Sequence, residues 1–133
     1  KDRVIEIRAY DTVYGVWKYF TVWEEQMNLE RESYCLIGTL EAWNAMCQYF
    51  GREKMIPVYI EVEDGTRLIR AVERERTQEH PGYEELCRRF LADAKDFSEE
   101  NLKNAGITRR FENKDMNACL EEIKLFIQKA ILI

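Results

Sequence analysis

Residues 57–73 read PVYIEVEDGTRLIRAVE and carry the clearest local pattern in the chain. Two strand-like runs, 57–63 and 66–73, flank Asp64-Gly65, a residue pair that readily supplies the positive φ angles of a tight hairpin turn. With a two-residue loop, one face of the hairpin would be mostly apolar and the other half solvated. The pattern therefore predicts an antiparallel β-hairpin.

A second pair of strands is predicted at the start of the chain. Residues 3–10 alternate in polarity, and residues 13–23 are rich in aromatic and β-branched side chains. Neither face of the second run is clearly polar, which indicates a strand that is covered on both sides. One of its faces carries Trp17, Tyr19 and Trp23.

Helical spacing of apolar residues and suitable capping residues predict four helices. They begin after Thr39, at Pro81, at Ser98, and at Asn113 or Asp115, and a short strand is expected over 107–112. Because the strands come as hairpins, the order predicts an α+β fold: an antiparallel sheet of about four to five strands with three to four helices packed mainly on one face. No linker or repeat interrupts the pattern, so a single domain over 1–133 is expected.

Composition and charge exclude several classes of protein. The 133 residues include 20 basic and 25 acidic side chains, and the acidic excess lies in residues 1–66. Net acidity argues against nucleic-acid binding, and no apolar run approaches the roughly 20 residues that span a bilayer. No signal-peptide pattern is visible. The four cysteines form no C-x-x-C pair, and Cys47, Cys87 and Cys119 lie on apolar helix faces, so a cytoplasmic protein with buried free thiols is expected.

Three groups of side chains are candidates for binding a partner or ligand. They are an aromatic stripe, the acidic patch that follows it, and an aromatic and basic group in the second half: Trp17, Tyr19, Trp23, Glu24, Glu25, Tyr59, Arg67, Arg70 and Arg109. Aromatic side chains offer large contact areas, acids attract a basic partner, and guanidinium groups match phosphate oxygens. Core packing of the aromatic residues and solvation of the charges are the alternative explanations.

Catalytic and metal-binding residues are not assigned. His80 is the only histidine, so an imidazole-based zinc site would need cysteine or carboxylate ligands from elsewhere. Glu61, Glu63 and Asp64 bring three carboxylates to the end of the expected hairpin, but hairpin tips are commonly charged without a metal. No P-loop, dinucleotide-binding, nucleophile-elbow or EF-hand motif is present. The sequence therefore predicts no cofactor and no metal, and it leaves enzyme activity open.

These observations predict a non-catalytic protein-interaction module, such as a small inhibitor, an immunity-type protein or a regulatory protein. Its partner would be another protein with a basic surface. The end of the chain is rich in apolar residues, so a homodimer through the C-terminal helix is a further hypothesis. The alternative function is a small-molecule or nucleotide-binding domain, in which the aromatic strand stacks on the ligand and Arg67, Arg70 or Arg109 holds an anion.

Overall fold

The computed structural model describes residues 3–131, which form two compact units. Unit 1 ends at Met55 and unit 2 begins at Ile56. Unit 1 contains β1 Val4–Thr12, β2 Gly15–Val22, α1 Leu40–Phe50 and a 3₁₀ helix Arg52–Lys54. Unit 2 contains β3 Tyr59–Glu61, α2 Asp64–Arg76, α3 Tyr83–Asp96, α4 Glu99–Asn104, β4 Arg110–Glu112 and α5 Met116–Ile131. The single domain expected from the sequence stays a prediction.

β1 and β2 form an antiparallel hairpin, which confirms the two strands predicted at the start of the chain. Val13 and Tyr14 form the two-residue turn, and Gly15 follows with a φ of 107°, a conformation that favours glycine. At the other end of the hairpin, a shift in register between Val4 and Glu6 marks a β-bulge. Such a bulge bends the strand and increases its local twist.

The helix predicted over residues 40–50 is confirmed as α1. Its N-cap is Thr39, whose hydroxyl accepts a hydrogen bond from the backbone amide of Ala42. The helix ends at Gly51, which takes a φ of 94° and donates its backbone amide to the carbonyl of Cys47. The side chains that α1 buries in unit 1 are Leu40, Ala42 and Met46.

The hairpin predicted over residues 57–73 is wrong, because its second half is the helix α2. The side chain of Glu63 accepts hydrogen bonds from the backbone amides of Gly65 and Thr66, at 2.7 and 2.8 Å. Asp64-Gly65 therefore forms the first turn of a helix and not a β-turn. The short apolar runs on either side fit both a strand and a helix, so the turn pair decided the prediction wrongly.

The predicted antiparallel sheet of four to five strands is also wrong. Across residues 3–131 the strands form two separate sheets of two strands each, β1 with β2 and β3 with β4. β3 and β4 run parallel, with Ile60 beside Phe111, and α2, α3 and α4 connect them. A parallel pair needs a long crossover of this kind, whereas a tight turn gives an antiparallel pair. The α+β class is right, and the described residues form five α-helices where three to four were expected.

The core of unit 2 centres on Phe111 of β4, whose side chain is fully buried. Its ring contacts that of Phe126 in α5 edge to face, with centroids 5.2 Å apart. Leu102 of α4 and Leu86 of α3 are buried in the same unit. The helices predicted in this half of the chain are confirmed as α3, α4 and α5.

Candidate functional site

Side chains of the β1–β2 hairpin alternate between two faces of different chemistry. One face, which we name the α1 face because its Arg8 reaches the N-cap of helix α1, carries polar and aromatic residues: Glu6, Arg8, Tyr10, Thr12, Trp17, Tyr19 and Thr21. The outer face is mainly apolar, with one acid and one base: Ile7, Ala9, Asp11, Val16, Lys18, Phe20 and Val22. Exposure on the outer face is high, at 63% for Ile7 and 66% for Phe20.

A buried carboxylate joins the α1 face to helix α1. Glu6 is 7% exposed and accepts hydrogen bonds from Arg8 Nε at 2.8 Å and from Thr21 Oγ1 at 2.6 Å. A second nitrogen of Arg8 donates to Oγ1 of Thr39, the N-cap of α1, at 2.9 Å. The network satisfies the polar groups that the hairpin turns toward the helix, and it fixes the hairpin against the start of α1.

An aromatic patch, which we define as Tyr10, Tyr14, Trp17 and Tyr19, lies toward the turn end of the hairpin. Tyr14 stacks on Trp17 with ring centroids 6.3 Å apart and an angle of 22° between the planes. Tyr10 and Tyr19 meet edge to face at 5.8 Å. These contacts order the rings, yet Trp17 and Tyr19 remain 46% and 45% exposed. Ordered aromatic rings with half of their surface in water are typical of recognition surfaces.

The third aromatic residue of the predicted stripe has a different environment. Trp23 is half-buried, and its ring lies 5.7 Å from that of Phe50 in α1. It also lines an open recess of about 580 Å³, together with Arg3, Val22, Glu24, Glu25 and Gln26. Arg3 forms an ion pair with Glu25, so the recess keeps one excess negative charge. We call this feature the acidic recess.

Local hydrogen bonds organise the acidic segment that follows the recess, residues 24–38. The backbone carbonyl of Asn28 accepts from the amides of Arg31 and Glu32, at 3.2 and 2.9 Å. The Tyr34 hydroxyl donates to Glu32 at 2.7 Å, and this hydrogen bond raises the pKa of Tyr34. The segment is therefore ordered by its own hydrogen bonds and has no regular secondary structure.

The arginines predicted to bind an anion lie in unit 2 and have partners within the protein. Arg67 lies on α2, with its guanidinium 4.0 Å from the ring centroid of Phe90 and 3.2 Å from Asp64. Arg70, on the same helix, donates to the backbone carbonyls of Asn113 and Lys114, at 2.9 and 3.1 Å. These arginines hold α2 to α3 and to the segment before α5.

Arg109 and Tyr59 also take part in packing within unit 2. Arg109 forms an ion pair with Glu122 at 2.7 Å and lies 4.9 Å from the ring centroid of Phe111. Tyr59 of β3 is half-buried and stacks on Phe97 at 5.8 Å, and its burial raises the pKa of the phenol. The structure brings the predicted site residues of unit 1 together in two groups: Trp17 with Tyr19, and Trp23 with Glu24 and Glu25. It places Tyr59 and the three arginines at separate positions in unit 2.

The carboxylates considered for a metal site each have another role. Glu61 accepts from Arg110 at 2.8 Å, and Asp64 pairs with Arg67. Glu63 caps α2, and the amides that donate to it lower its pKa. No group of three or more histidine, cysteine, aspartate or glutamate side chains within residues 3–131 is placed to hold a metal ion.

Helices α2 and α5 begin just after the carboxyl ends of the parallel strands β3 and β4. In α/β proteins, the free backbone amides at such helix starts often bind phosphate. Here the chain fills both positions with its own carboxylates. Glu63 accepts from the α2 amides, and Asp115 accepts from the amide of Ala118 in α5 at 2.8 Å. An incoming anion would have to displace these caps.

Sequence reasoning missed three residues of the hairpin, Glu6, Tyr10 and Tyr14. The signal for Glu6 was a charge inside the apolar run Ile5 to Ile7, and the register that places Tyr10 beside Trp17 follows from a two-residue turn at 13 and 14.

All four cysteines are free, as expected, and Cys119 is buried. The expectation that Cys87 is buried is wrong, because it lies on the solvent side of α3.

The apolar stripe of α5 divides between two sides of the helix. Cys119 is buried, whereas Met116, Leu120, Leu125 and Ile131 are exposed. The last residues of the apolar end, Leu132 and Ile133, lie outside the described residues. The homodimer through this helix stays a prediction.

Comparisons with protein-family models, with curated proteins and with solved structures find no match to this chain. Among the helices described between residues 3 and 131, none combines the length and the apolar character needed to cross a membrane.

Proposed function

We propose that the protein is a non-catalytic interaction module of the cytoplasm, an inhibitor or regulatory protein that acts by occupying the surface of a partner protein. The aromatic patch and the acidic recess form its recognition surface. The observation that carries this proposal is the ordering of Trp17 and Tyr19 by ring contacts while nearly half of each side chain stays exposed. Rings that are fixed before binding lose little conformational freedom in a complex.

Charge supports a basic partner. Glu24 and Glu25 lie in the acidic recess, and Glu30 and Glu32 follow in the adjoining segment. Acids at the edge of a recognition surface speed the encounter with a basic protein and disfavour acidic ones. The aromatic patch would supply most of the affinity, and the acids most of the salt dependence.

The arginine contacts favour this proposal over a nucleotide-binding domain. Arg67, Arg70 and Arg109 are engaged by carboxylates, backbone carbonyls and aromatic rings of unit 2. A phosphate would therefore compete with contacts that hold the unit together. For the aromatic patch, the contacts that order the rings leave their exposed surfaces open to a partner.

The proposal is tested by quantitative capture of proteins from an extract of the cells that make the protein, with the whole chain as bait. The double variant Trp17→Ala and Tyr19→Ala should reduce recovery of the specific partner at least about tenfold, since truncating two aromatic anchors removes more than about 1.4 kcal/mol. Tyr83→Ala is the matched control, because Tyr83 is also 46% exposed but lies on α3. It should leave recovery unchanged.

A second variant tests the charges without touching the aromatic rings. Glu24→Lys with Glu25→Lys should weaken capture and reduce its dependence on salt, whereas Glu73→Lys, an exposed position on α2, should do neither. The same proteins recovered in equal amount by every variant would contradict the proposal. Catalytic turnover by the pure protein, lost on substitution of a residue in unit 2, would contradict it as well.

A further inference from the structure

The outer face of the hairpin is a sheet face that none of the described residues of unit 1 covers. Four of its side chains are large and apolar, and their exposed fractions are 63% for Ile7, 61% for Val16, 66% for Phe20 and 36% for Val22. Val4 at the bulge adds a fifth, 41% exposed. A two-stranded hairpin is only marginally stable in water unless a face is packed, and here the α1 face alone is packed.

The edges of the hairpin do not favour pairing with another strand. Trp23 donates its backbone amide to the carbonyl of Arg3, so the odd-numbered residues of β2 direct their backbone amides and carbonyls toward β1. The even-numbered residues direct theirs away from β1, to the open edge of the sheet. Lys18 lies in the middle of that open edge, and the bulge between Val4 and Glu6 interrupts the open edge of β1. Lysine and bulges are the features by which proteins prevent strand addition. Association would therefore use the outer face and not an edge.

The arrangement of charges on the outer face is complementary to itself. The register places Ile7 beside Phe20, Ala9 beside Lys18, and Asp11 beside Val16, in three successive rows. Two hairpins can stack face to face about a two-fold axis that runs parallel to the strands. Each row of one copy then lies on the same row of the other copy, with β1 of one above β2 of the other. The apolar row of Ile7 and Phe20 then meets itself, Lys18 faces Ala9 of the other copy and Asp11 faces Val16. Asp11 of the other copy lies one row along the strand that faces Lys18, within reach of the long lysine side chain. No like charges face each other.

The area is sufficient for a weak dimer. With about half of each of the five apolar side chains exposed, the face offers on the order of 450 Å² per copy, at roughly 90 Å² for each side chain. Covering both copies removes about 1,000 Å² with the flanking polar residues, which is near the lower limit for a specific interface. Stacked sheets of this kind pack about 10 Å apart.

We propose that the outer face binds a second copy of this chain, so that two hairpins stack face to face in a symmetric dimer with Lys18 of each copy paired to Asp11 of the other. The α1 face, with the aromatic patch, stays outside this interface and remains available to a partner protein. Of the residues that line the acidic recess, Val22 alone is among the five apolar residues of the interface. The dimer is independent of the proposed function. A dissociation constant in the micromolar range is expected for an interface of this size.

Charge exchange tests the proposal by sedimentation velocity over a range of protein concentrations. Lys18→Asp brings two carboxylates together across the interface, and Asp11→Lys brings two ammonium groups together. Each single variant should therefore dimerise at least about tenfold more weakly than the original chain. Combining both substitutions in one chain restores opposite charges and should return the dissociation constant to within about threefold of the original. Mixing the two single variants should give a heterodimer.

Two further results bear on the same proposal. Leu125→Glu, on the exposed side of α5, should leave the dimer unchanged, because α5 lies outside the proposed interface. A dimer that Leu125→Glu abolishes and the hairpin variants preserve would overturn the proposal in favour of the C-terminal helix. A chain that stays monomeric at several hundred micromolar, or single variants that dimerise as well as the original, would also overturn it. Tryptophan fluorescence during urea titration of each variant, which follows unit 1 because Trp17, Trp23 and Trp43 all lie there, establishes that the hairpin substitutions leave that unit folded.

Discussion

We expect Glu6→Ala to destabilise unit 1 by about 3 kcal/mol, because its carboxylate is the shared acceptor of two hydrogen bonds inside the α1 face. The Glu6 side chain is 4% exposed and that of Arg8 is 13% exposed, so the ion pair lies largely out of water. The substitution leaves Arg8 and Thr21 without the oxygen atoms that now accept from them at 2.8 and 2.6 Å. Breaking one half of a buried pair costs about 3–5 kcal/mol, and the lower figure suits a pair at the edge of a small unit.

The positions of the tryptophans make this change measurable in one unit. Trp17, Trp23 and Trp43 all lie in unit 1, so tryptophan fluorescence during urea titration follows that unit alone. With a slope of about 1 kcal/mol per molar urea, the expected loss lowers the midpoint by about 3 M. Of the five α-helices described between residues 3 and 131, four lie in unit 2, so far-ultraviolet circular dichroism follows mainly that unit and should show little change.

An exposed ion pair of the same unit provides the control. The side chain of Glu25 is 82% exposed and that of its partner Arg3 is 60% exposed, so Glu25→Ala should cost no more than about 0.5 kcal/mol. Equal effects of Glu6→Ala and Glu25→Ala would refute the reasoning, since burial and the hydrogen bond from Thr21 are the reasons to rank them differently. Thr39→Ala should cost about 1 kcal/mol through loss of the α1 cap and of the Arg8 contact, and Thr39→Ser should restore most of it.

Three other predictions concern unit 2 and the thiols. Phe111→Ala should destabilise unit 2 by about 3–5 kcal/mol by circular dichroism, with no change in tryptophan fluorescence, and a loss below about 1 kcal/mol would contradict the core described above. Because the pKa of Glu63 is lowered from its ordinary value of 4.5 in the folded state, its cap stabilises unit 2 above that pH and is lost as the pH falls below it. Glu63→Gln should therefore make unit 2 less stable at pH 7 and less sensitive to acid, as measured by urea midpoints between about pH 3 and 7. In the folded protein a thiol reagent should modify the exposed Cys35 much faster than the buried Cys119, and equal rates would argue against the burial of Cys119.

The sequence predicted most elements whose ends carry a specific chemical signal. Thr39 with Gly51 marked α1, and Ser98 marked α4, because capping side chains and a glycine at positive φ satisfy helix ends in only a few ways. The first hairpin was also predicted, since its aromatic and β-branched residues leave little choice of secondary structure.

The second half of the chain shows why the remaining part of the fold was not predictable. Asp64-Gly65 is a good β-turn pair and also a good first turn of a helix, and Glu63 decides between them by accepting the free amides. The parallel pairing of β3 with β4 depends on contacts between residues some 50 positions apart, such as Tyr59 with Arg110. No local pattern contains that information.

The candidate site was predictable in composition but not in arrangement. Trp17 and Tyr19 were identified from the alternation of side chains along one strand. The separate role of Trp23 depends on Phe50, and the link from Glu6 through Arg8 to the start of α1 depends on Thr39. Both Phe50 and Thr39 are distant in the sequence. The sequence shows that Glu6 is a charged residue on a strand, but only the packing of the folded unit shows that it is buried.

Site-specific crosslinking tests the central claim, that the aromatic patch binds a partner protein, most directly. A photoreactive phenylalanine analogue replaces Tyr14, which is 63% exposed and lies in the aromatic patch, and in a second protein it replaces Tyr83 on α3. After illumination in an extract of the producing cells, the analogue at position 14 should give one discrete adduct with a basic protein, and competition with the unmodified chain should suppress it. Identical adducts from both positions, or an adduct at position 83 alone, would contradict the claim.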